Sequence, residues 1–294
     1  MRNINYYWNE IKNRSDISPD DVRSMLKDFA ISVVPYEIPK GVLILRARRG
    51  YGFTKRSEMT YCPAEKCQDY QRASMPKESM FYGVISDDQH HLEDARAICV
   101  AECSALCKEG KTSIGRERFT ISHWMVTKPL RIVSLITDQA FPTCTNNKLL
   151  NQLRNTFVYA HGKSDSSTET KVITQFLSDE FTKDVRHPHE YIVSATISHD
   201  IVNSLGYDGI IYPSVQLGGQ GGLNIAIKPS SLNKKVRFIR TLENCLYKNG
   251  SQSFIRMEKA TERNGTSQKL FQISDEEICN MLNIKTLTEL PIKE

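Results

Sequence analysis

The sequence lacks any long hydrophobic run. No stretch resembles a transmembrane span, and Met1 to Asn5 are not followed by the apolar segment of a signal peptide. Hydrophobic residues make up 39% of the chain and charged residues 25%, which is ordinary for a globular protein. We therefore expect a cytoplasmic protein with no membrane partner.

A strong excess of one charge is also missing. The formal net charge is only +5, and the lysines and arginines are scattered along the chain. A nucleic-acid interface needs a clustered basic stripe with interleaved aromatic residues, so we do not expect nucleic acid as a partner. The modest basic balance suits an anionic small molecule equally well.

The eight cysteines include no tight C-x-x-C pair. Cys99, Cys103 and Cys107 recur every four residues, a spacing that structural zinc sites seldom use, so we predict no metal site and free thiols in a reducing compartment. The histidines of His90-His91 and His187-Pro188-His189 lie in polar stretches, where solvated loop residues are the simpler interpretation.

Two familiar catalytic loops are absent. No serine stands in a G-x-S-x-G elbow, which argues against a serine hydrolase of that type. The glycine-rich stretch Gly218 to Gly222 lacks the lysine and hydroxyl residue of a phosphate-binding P-loop, and it joins two predicted strands. We interpret it as a hairpin turn.

Predicted strands and helices alternate along the chain, which indicates an α/β or α+β domain, and we favour α+β. We divide the chain into an N-terminal helical extension (1–40), a catalytic domain (41–230) and a C-terminal hairpin and helix (231–294). A long ordered loop is expected over 50–79 and a surface connection over 161–171. Helices are predicted near 18–29, 92–108, 147–159, 172–184, 196–205 and 275–282, and strands near 42–45, 80–82, 119–126, 131–136, 209–212 and 223–227.

Glu102 stands at a position where a carboxylate is costly. On a helix over 92–108, one arc of the surface collects the apolar side chains Ala95, Ile98, Cys99, Cys103 and Leu106. Glu102 falls in the middle of that arc. A carboxylate facing a core costs several kcal/mol unless it is paired, hydrogen-bonded or protonated. Either an active site or a buried ion pair with an arginine would explain it.

Other polar residues occur in comparable settings. Arg46 closes the apolar run Val42 to Leu45, and Ser214 follows the strand-like Gly209 to Pro213. Two arginines, a carboxylate and an aromatic ring suit a dinucleotide, in which the pyrophosphate requires cations, the base a stacking face and the ribose an acceptor. In sugar chemistry a buried carboxylate can also stabilise an oxocarbenium-like transition state.

The order of these motifs resembles that of the RES-domain family, which is named for an arginine, a glutamate and a serine. The resemblance covers about residues 42–229. It rests on Leu45-Arg46-Ala47-Arg48, Tyr70-Gln71-Arg72-Ala73-Ser74, Met80-Phe81-Tyr82-Gly83, Ala101-Glu102 and Gly206-Tyr207-Asp208-Gly209-Ile210-Ile211-Tyr212-Pro213-Ser214 followed by Asn224.

The resemblance implies a fold similar to that of ADP-ribosyltransferases, with a mixed β-sheet core, flanking helices and peripheral additions at both ends. Characterised members of the family are toxins of bacterial toxin–antitoxin pairs that destroy NAD+. Some do so by phosphorolysis, releasing nicotinamide and leaving ADP-ribose 1″-phosphate. The resemblance therefore implies NAD+ as substrate, inorganic phosphate as co-substrate, no separate cofactor, a protein antitoxin as partner and a role as toxin or defence effector.

The family's residues can be carried over by position. The resemblance implies catalytic roles for Arg46, Glu102 and Ser214. It implies substrate-binding roles for Arg48, Arg72, Tyr82 and Asn224. The family's usual Gly-Arg-x-Asn appears here as Gln71-Arg72-Ala73-Ser74. Two alternatives stay open at this point: an ADP-ribosyltransferase that modifies a protein or nucleic acid, and a module that binds a nucleotide without turnover.

Overall fold

A computed structural model describes residues 16–27, 33–86, 92–144, 147–162, 167–214, 222–270 and 273–293. The strands are β1 (Val34–Ile38), β2 (Leu43–Arg49), β3 (Phe81–Ser86), β4 (Ile114–Val126), β5 (Leu130–Ser134), β6 (Gly209–Pro213), β7 (Leu223–Ile227), β8 (Val236–Asn249), β9 (Gln252–Glu262), β10 (Ser267–Lys269) and β11 (Ile292–Lys293). The α-helices are α1 (Pro19–Leu26), α2 (Arg56–Met59), α3 (Leu92–Cys103), α4 (Ala105–Lys108), α5 (Lys148–His161), α6 (Ser167–Thr182), α7 (Ile192–His199), α8 (Pro229–Lys235) and α9 (Asp275–Leu282).

These strands form one mixed sheet in the order β1-β5-β6-β7-β3-β2-β4-β8-β9-β10, with β11 beside β4. Neighbouring strands are antiparallel except for the β5–β6 and β4–β11 pairs. The α+β class predicted from the sequence is therefore confirmed. No helix in the described ranges is long and apolar enough to span a membrane.

The sheet almost divides between β2 and β3. The two strands pair only through Leu43–Ser86, Ile44–Ile85 and Leu45–Val84. Beyond that point β2 continues along β4 as far as Arg49, while β3 is held by β7 as far as Phe81. The strands therefore separate, and we call the resulting opening, bordered by residues 46–47 and 82–83, the split.

Helix α3 packs against β2 and β3 next to the split. Its Ala95, Ile98 and Cys99 are buried together with Leu45 and Val84, as the helical periodicity predicts. The predicted single helix over 92–108 is wrong, however, because Ser104 interrupts it. The Ser104 hydroxyl accepts a hydrogen bond from the backbone N–H of Cys107 at 3.1 Å and so begins α4 as an N-cap.

The C-terminal hairpin is longer than the sequence predicts. Strand β8 pairs with β4 from Val126–Val236 to Ile114–Asn249, and β9 pairs with the other side of β8. Strands β8, β9 and β10 thus form one end of the sheet, and inward-facing residues of β8 such as Phe238 and Leu246 are buried.

Other predicted boundaries shift only slightly. The capping box that Ser18 and Asp21 predict is present at α1, and β7 and α9 occupy the predicted ranges. Helix α6 begins at Ser167, inside the predicted surface connection, and the predicted helix over 196–205 is α7 followed by a π-helical turn, Asp200–Ser204. The predicted loop over 50–79 contains α2 and a 3-10 turn, Ala64–Lys66. His90-His91 and most of the glycine-rich turn, residues 218–221, lie outside the described ranges.

Candidate functional site

An open cleft with a volume of about 480 Å³ lies at the split. Helix α3 supplies one wall, the loop before β3 another, and the segment between α6 and α7 a third. Five of the seven site residues predicted from the sequence line this cleft: Arg46, Arg72, Tyr82, Glu102 and Asn224.

Glu102 lies in the last turn of α3 and faces the cleft. Its Oε1 accepts hydrogen bonds from the Ser214 hydroxyl at 2.6 Å and from the Asn224 side-chain amide at 2.9 Å. No described residue hydrogen-bonds to its other carboxylate oxygen, Oε2, or forms an ion pair with Glu102. The arginine ion pair considered from the sequence is therefore not what stabilises this carboxylate, and one of its oxygens is left for a ligand.

Ser214 lies behind Glu102 and does not line the cleft. It directly follows β6, is 1% exposed, and its backbone N–H donates to the Gly222 carbonyl oxygen at 2.9 Å. A Cβ at Gly222 would come within 2.6 Å of Ile98 and 3.1 Å of the Ser214 Cβ, so glycine lets the ends of β6 and β7 approach α3. Ser214 can thus act on a ligand only through Glu102, as a positioning residue.

Arg46 extends into the split from β2. Its Nη1 donates to the Tyr82 carbonyl oxygen at 2.8 Å, and its guanidinium carbon lies 5.5 Å from the centre of the Phe81 ring. Its Nε is buried and has no hydrogen-bond partner in the part of the chain that the structure describes. Burial lowers the pKa of Arg46 from its ordinary value. A buried cation with an unpaired donor is costly, and an anionic ligand in the cleft would offset that cost.

Arg72 is held by the segment that follows α6. Its Nη1 donates to the carbonyl oxygens of Phe181 at 2.5 Å and Lys183 at 3.2 Å, and its Nη2 donates to the Tyr191 hydroxyl at 3.2 Å. The guanidinium also stacks on the Tyr191 ring, 4.9 Å from its centre. The carbonyl end of a helix favours a cation, so α6 orients Arg72 at the cleft.

The segment from Gln71 to Ser74 forms a tight turn. Gln71 and Ser74 exchange two backbone hydrogen bonds, of 2.9 and 3.2 Å, across Arg72. Gln71 is not among the described non-glycine residues with a positive φ, so its backbone conformation does not require glycine. The Ser74 hydroxyl lies 3.0 Å from the Tyr82 hydroxyl, and this hydrogen bond tethers the turn to β3.

Tyr82 joins this turn to β3. Its hydroxyl accepts a hydrogen bond from the Ala73 N–H at 3.1 Å, and burial raises the pKa of Tyr82 to about 12. The substrate-binding role that the resemblance implies for Tyr82 stays a prediction. Its hydroxyl has a second use that the sequence did not reveal, because it fixes the turn that carries Arg72.

The structure does not bring Arg48 to the cleft. Its guanidinium stacks on Phe53, with 4.5 Å between the guanidinium carbon and the ring centre, and its Nη1 donates to the Glu58 carbonyl oxygen at 2.7 Å. Both partners lie in the segment after β2, Phe53 before α2 and Glu58 in that helix. That segment turns back over the strand end, so two arginines with the same strand orientation have different surroundings.

Several cleft residues were not predicted from the sequence. They are mostly aromatic or charged and come from distant segments: Tyr70, Lys108, Asp184, Tyr191 and Tyr212. Tyr70 and Tyr212 lie inside the quoted motifs, which could have pointed to them. Lys108 and Tyr191 carry no local signal, because only the folding of α4 and α7 brings them to the cleft.

The cleft thus combines a half-satisfied carboxylate, two oriented guanidinium groups and several tyrosine rings, a set suited to a ligand with a sugar, a pyrophosphate and flat bases. In the described ranges no group of three or more His, Cys, Asp and Glu side chains could hold a metal ion. Neither a family model nor a curated protein matches this chain.

Proposed function

We propose that this chain is an NAD+-degrading enzyme that cleaves the nicotinamide–ribose bond in the cleft at the split. The observation that carries the proposal is the setting of Glu102. Two neutral donors hold its Oε1, and its Oε2 has no hydrogen bond from the described chain. A carboxylate held in this way has a fixed direction while it keeps one oxygen for a sugar hydroxyl or a developing positive charge.

Bond cleavage would develop charge next to this oxygen. The bond between ribose C1″ and the nicotinamide nitrogen breaks, its electron pair leaves with nicotinamide, and nicotinamide departs as a neutral molecule. The ribose then carries oxocarbenium-like positive charge, which the Glu102 carboxylate stabilises. A phosphate oxygen that bonds to C1″ would give ADP-ribose 1″-phosphate, whereas water would give ADP-ribose.

The two guanidinium groups would hold the pyrophosphate. Arg46 and Arg72 line the same cleft as Glu102, and each keeps donors that no described residue uses. Arginine suits phosphate oxygens because its donors are planar and it stays charged. The Tyr82, Tyr191 and Tyr212 rings would supply flat apolar faces for the bases.

The same proposal includes membership of the RES-domain family, with the chain acting in the bacterial cytoplasm as a toxin or defence effector. Free activity would deplete the host's NAD+, so a protein antitoxin that covers the cleft belongs to the proposal. Expression of the chain alone should then lower cellular NAD+ and arrest growth. Normal growth with undiminished NAD+ at confirmed expression would contradict the toxin role.

Proton NMR of NAD+ mixed with the purified chain tests the reaction, with and without inorganic phosphate. We expect nicotinamide release that requires Glu102 and increases with phosphate. The control variants are Glu102→Gln and Asp94→Asn, the latter an exposed carboxylate on the same helix. Release that is equal in Glu102→Gln and the unmodified chain would overturn the role of Glu102.

The other outcomes separate the alternatives. Adenylate-labelled NAD+ that transfers its label to a protein or nucleic acid would identify an ADP-ribosyltransferase. Saturable NAD+ binding by calorimetry, with intact NAD+ in every NMR sample, would identify a nucleotide-binding module. The absence of both binding and turnover would overturn the assignment of NAD+ to this cleft.

A further inference from the structure

A second, smaller cavity lies beneath the first half of α3, away from the cleft. Its volume is about 140 Å³, and its charged and polar lining comes from three elements: Glu93 and Arg96 on α3, His123 on β4 and Arg240 on β8. Arg96 precedes Glu102 by six residues, or about 9 Å along the helix axis. None of these four residues belongs to the cleft lining.

Nitrogen atoms without partners distinguish this cavity from an ordinary packing void. Arg96 Nε and Nη1, His123 Nε2 and Arg240 Nε are all buried and have no hydrogen-bond partner among the described residues. His123 is 3% exposed. Buried polar groups are almost always hydrogen-bonded, so several unpaired ones around a single cavity require an explanation.

The existing ion pairs of the two arginines leave these atoms available. Arg96 pairs with Glu93 through Nη2, and Arg240 pairs with Glu262 through Nη1 at 3.6 Å. Both contacts use the outer ends of the guanidinium groups. The remaining arginine nitrogens can only donate hydrogen bonds, and a neutral histidine Nε2 can donate in one tautomer. Glu93 also lines the cavity, but its side chain is 62% exposed and pairs with Arg96 Nη2. The unpaired nitrogen atoms are therefore donors that require a further acceptor.

The size of the cavity limits which acceptors it can hold. Liquid water occupies about 30 Å³ per molecule, so the space corresponds to about four or five water-sized atoms. A tetrahedral oxyanion such as phosphate or sulfate has five non-hydrogen atoms and presents acceptors in every direction. A nucleotide is too large for this volume, and a cation would be repelled by the two guanidinium groups.

We propose that this cavity is a binding site for a small tetrahedral oxyanion, phosphate or sulfate, held by Arg96, His123 and Arg240. The anion would link α3 to β4 and β8, and so fix the helix that carries Glu102 against the sheet. The site is independent of the reaction proposed for the cleft.

The charge environment agrees with this assignment. Burial, followed by the nearby positive charges of Arg240 and Arg96, lowers the pKa of His123 to about 4. His123 is therefore neutral at pH 7, and the local potential is positive. An anion in the cavity would reverse the sign of the nearest charge, so its binding should raise the pKa of His123, which NMR titration of the ring can follow.

Crystals of the full chain soaked in sodium selenate provide the direct test, because selenate is tetrahedral and its selenium gives an anomalous signal. We expect an anomalous peak between Arg96, His123 and Arg240. Density for water alone in this cavity, at a selenate concentration that fills other sites on the protein, would overturn the proposal.

Calorimetry with selenate tests the same site in solution. We expect Arg96→Gln to weaken binding at this site by about tenfold or more, since it removes two donors to a charged acceptor. Arg237→Gln, an exposed arginine of β8, is the matched control and should bind like the unmodified chain. Arg72→Gln separates this site from any anion binding in the cleft.

If Arg96→Gln does not fold, His123→Ala and the His123 titration in the unmodified chain still decide the question. Selenate should raise the pKa of His123 in the unmodified chain, and His123→Ala should weaken selenate binding. A His123 pKa that does not change with selenate, together with unchanged affinity in the folded variants, would show that the cavity holds no anion.

Discussion

Glu102 and Glu117, which precede and follow Ser104 in the chain, have different hydrogen-bond environments. Glu117 on β4 is fully buried, and both of its oxygens are occupied. Oε1 accepts from Arg49 at 3.1 Å and from the Ala105 N–H at 3.1 Å, while Oε2 accepts from the Ser104 hydroxyl. Glu102 has two donors on one oxygen and none from the described chain on the other.

The difference separates a structural carboxylate from a candidate functional one. Glu117 ties β2, β4 and the start of α4 together, and a ligand would find no free acceptor there. Two protein donors orient the Glu102 carboxylate, and its Oε2 can accept a hydrogen bond from a ligand in the cleft. Hydrogen-bond saturation therefore says more about the use of a buried carboxylate than burial does, since the more deeply buried of the two is the structural one.

Replacing Glu102 by glutamine should give the largest change in activity. The amide oxygen can still accept from Ser214 and Asn224, so the fold is kept, but the negative charge that the proposed reaction requires is lost. We expect kcat for nicotinamide release to fall by about 10³-fold, the upper range for removing one electrostatic stabiliser. The free energy of unfolding in urea should change by less than about 1 kcal/mol. A fall in kcat of less than tenfold would contradict the proposed role.

Glu117→Gln should produce the converse result. Removing the charge weakens the hydrogen bonds that Glu117 accepts from Arg49, the Ser104 hydroxyl and the Ala105 N–H. We expect a loss of about 2 kcal/mol in the free energy of unfolding, because hydrogen bonds to a buried charge are lost while the half-exposed Arg49 stays solvated. Activity per folded molecule should remain at a temperature well below the melting transition. Glu65→Gln, at an exposed position, is the control for stability. Unchanged stability in Glu117→Gln would contradict the structural role assigned to Glu117.

Asp208 is another buried carboxylate, and its hydrogen bonds predict a pH dependence of stability. Its carboxylate accepts from the Arg131 N–H at 2.8 Å, the Ser231 hydroxyl at 2.5 Å and Lys235 at 2.6 Å. Burial alone would raise the pKa of Asp208, but the bonds from Lys235, Ser231 and Arg131 outweigh it, and the pKa is lowered.

A carboxylate whose pKa is lower in the folded state stabilises the fold above its unfolded pKa of about 3.9, and that stabilisation is lost as the pH falls through the folded value. We expect Asp208→Asn to cost about 2 kcal/mol at pH 7. Urea unfolding between pH 7 and pH 2 should show a smaller pH dependence in the variant. The same acid sensitivity in both proteins would exclude Asp208 as its source.

The sequence predicted the features of Glu102 that depend on local patterns. Helical periodicity placed Glu102 on the apolar face of α3, and motif order linked it to Ser214 and Asn224. The capping signal at Ser18 marks a helix start within the neighbouring few residues, which is why the start of α1 was predictable.

The environment of Glu117 depends on long-range contacts, which no local sequence pattern reveals. Glu117 lies in a strand with polar neighbours, and only the pairing of β2 with β4 brings Arg49 to it. The split is equally hidden, because it arises where the β2–β3 register ends and each strand follows a different neighbour. A sequence pattern predicts strands, but it does not predict where two of them part.

Ser214→Ala tests whether the alignment of Glu102 matters as much as its charge. With Asn224 still donating to Oε1, we expect kcat to fall by about tenfold and KM to change little, since one hydrogen bond to a charged group is worth about 1.5 kcal/mol. The Ser214→Ala/Asn224→Ala double variant should lose more than the product of the single effects, because either donor can hold the oxygen alone. A larger change in KM than in kcat would place Ser214 in ligand binding.

The smallest effect is expected at Arg48, and its contrast with Arg46 sharpens the comparison. Both arginines extend from the same face of β2, but the guanidinium of Arg48 is occupied by Phe53 and the Glu58 carbonyl outside the cleft. We expect Arg48→Gln to change kcat/KM for NAD+ by less than about twofold, and Arg46→Gln to lower it by about 100-fold or more. Circular dichroism and thermal melting of both variants control for folding. An equal loss of kcat/KM in the two variants would mean that the segment carrying Phe53 and Glu58 moves when NAD+ binds and that Arg48 contacts the ligand.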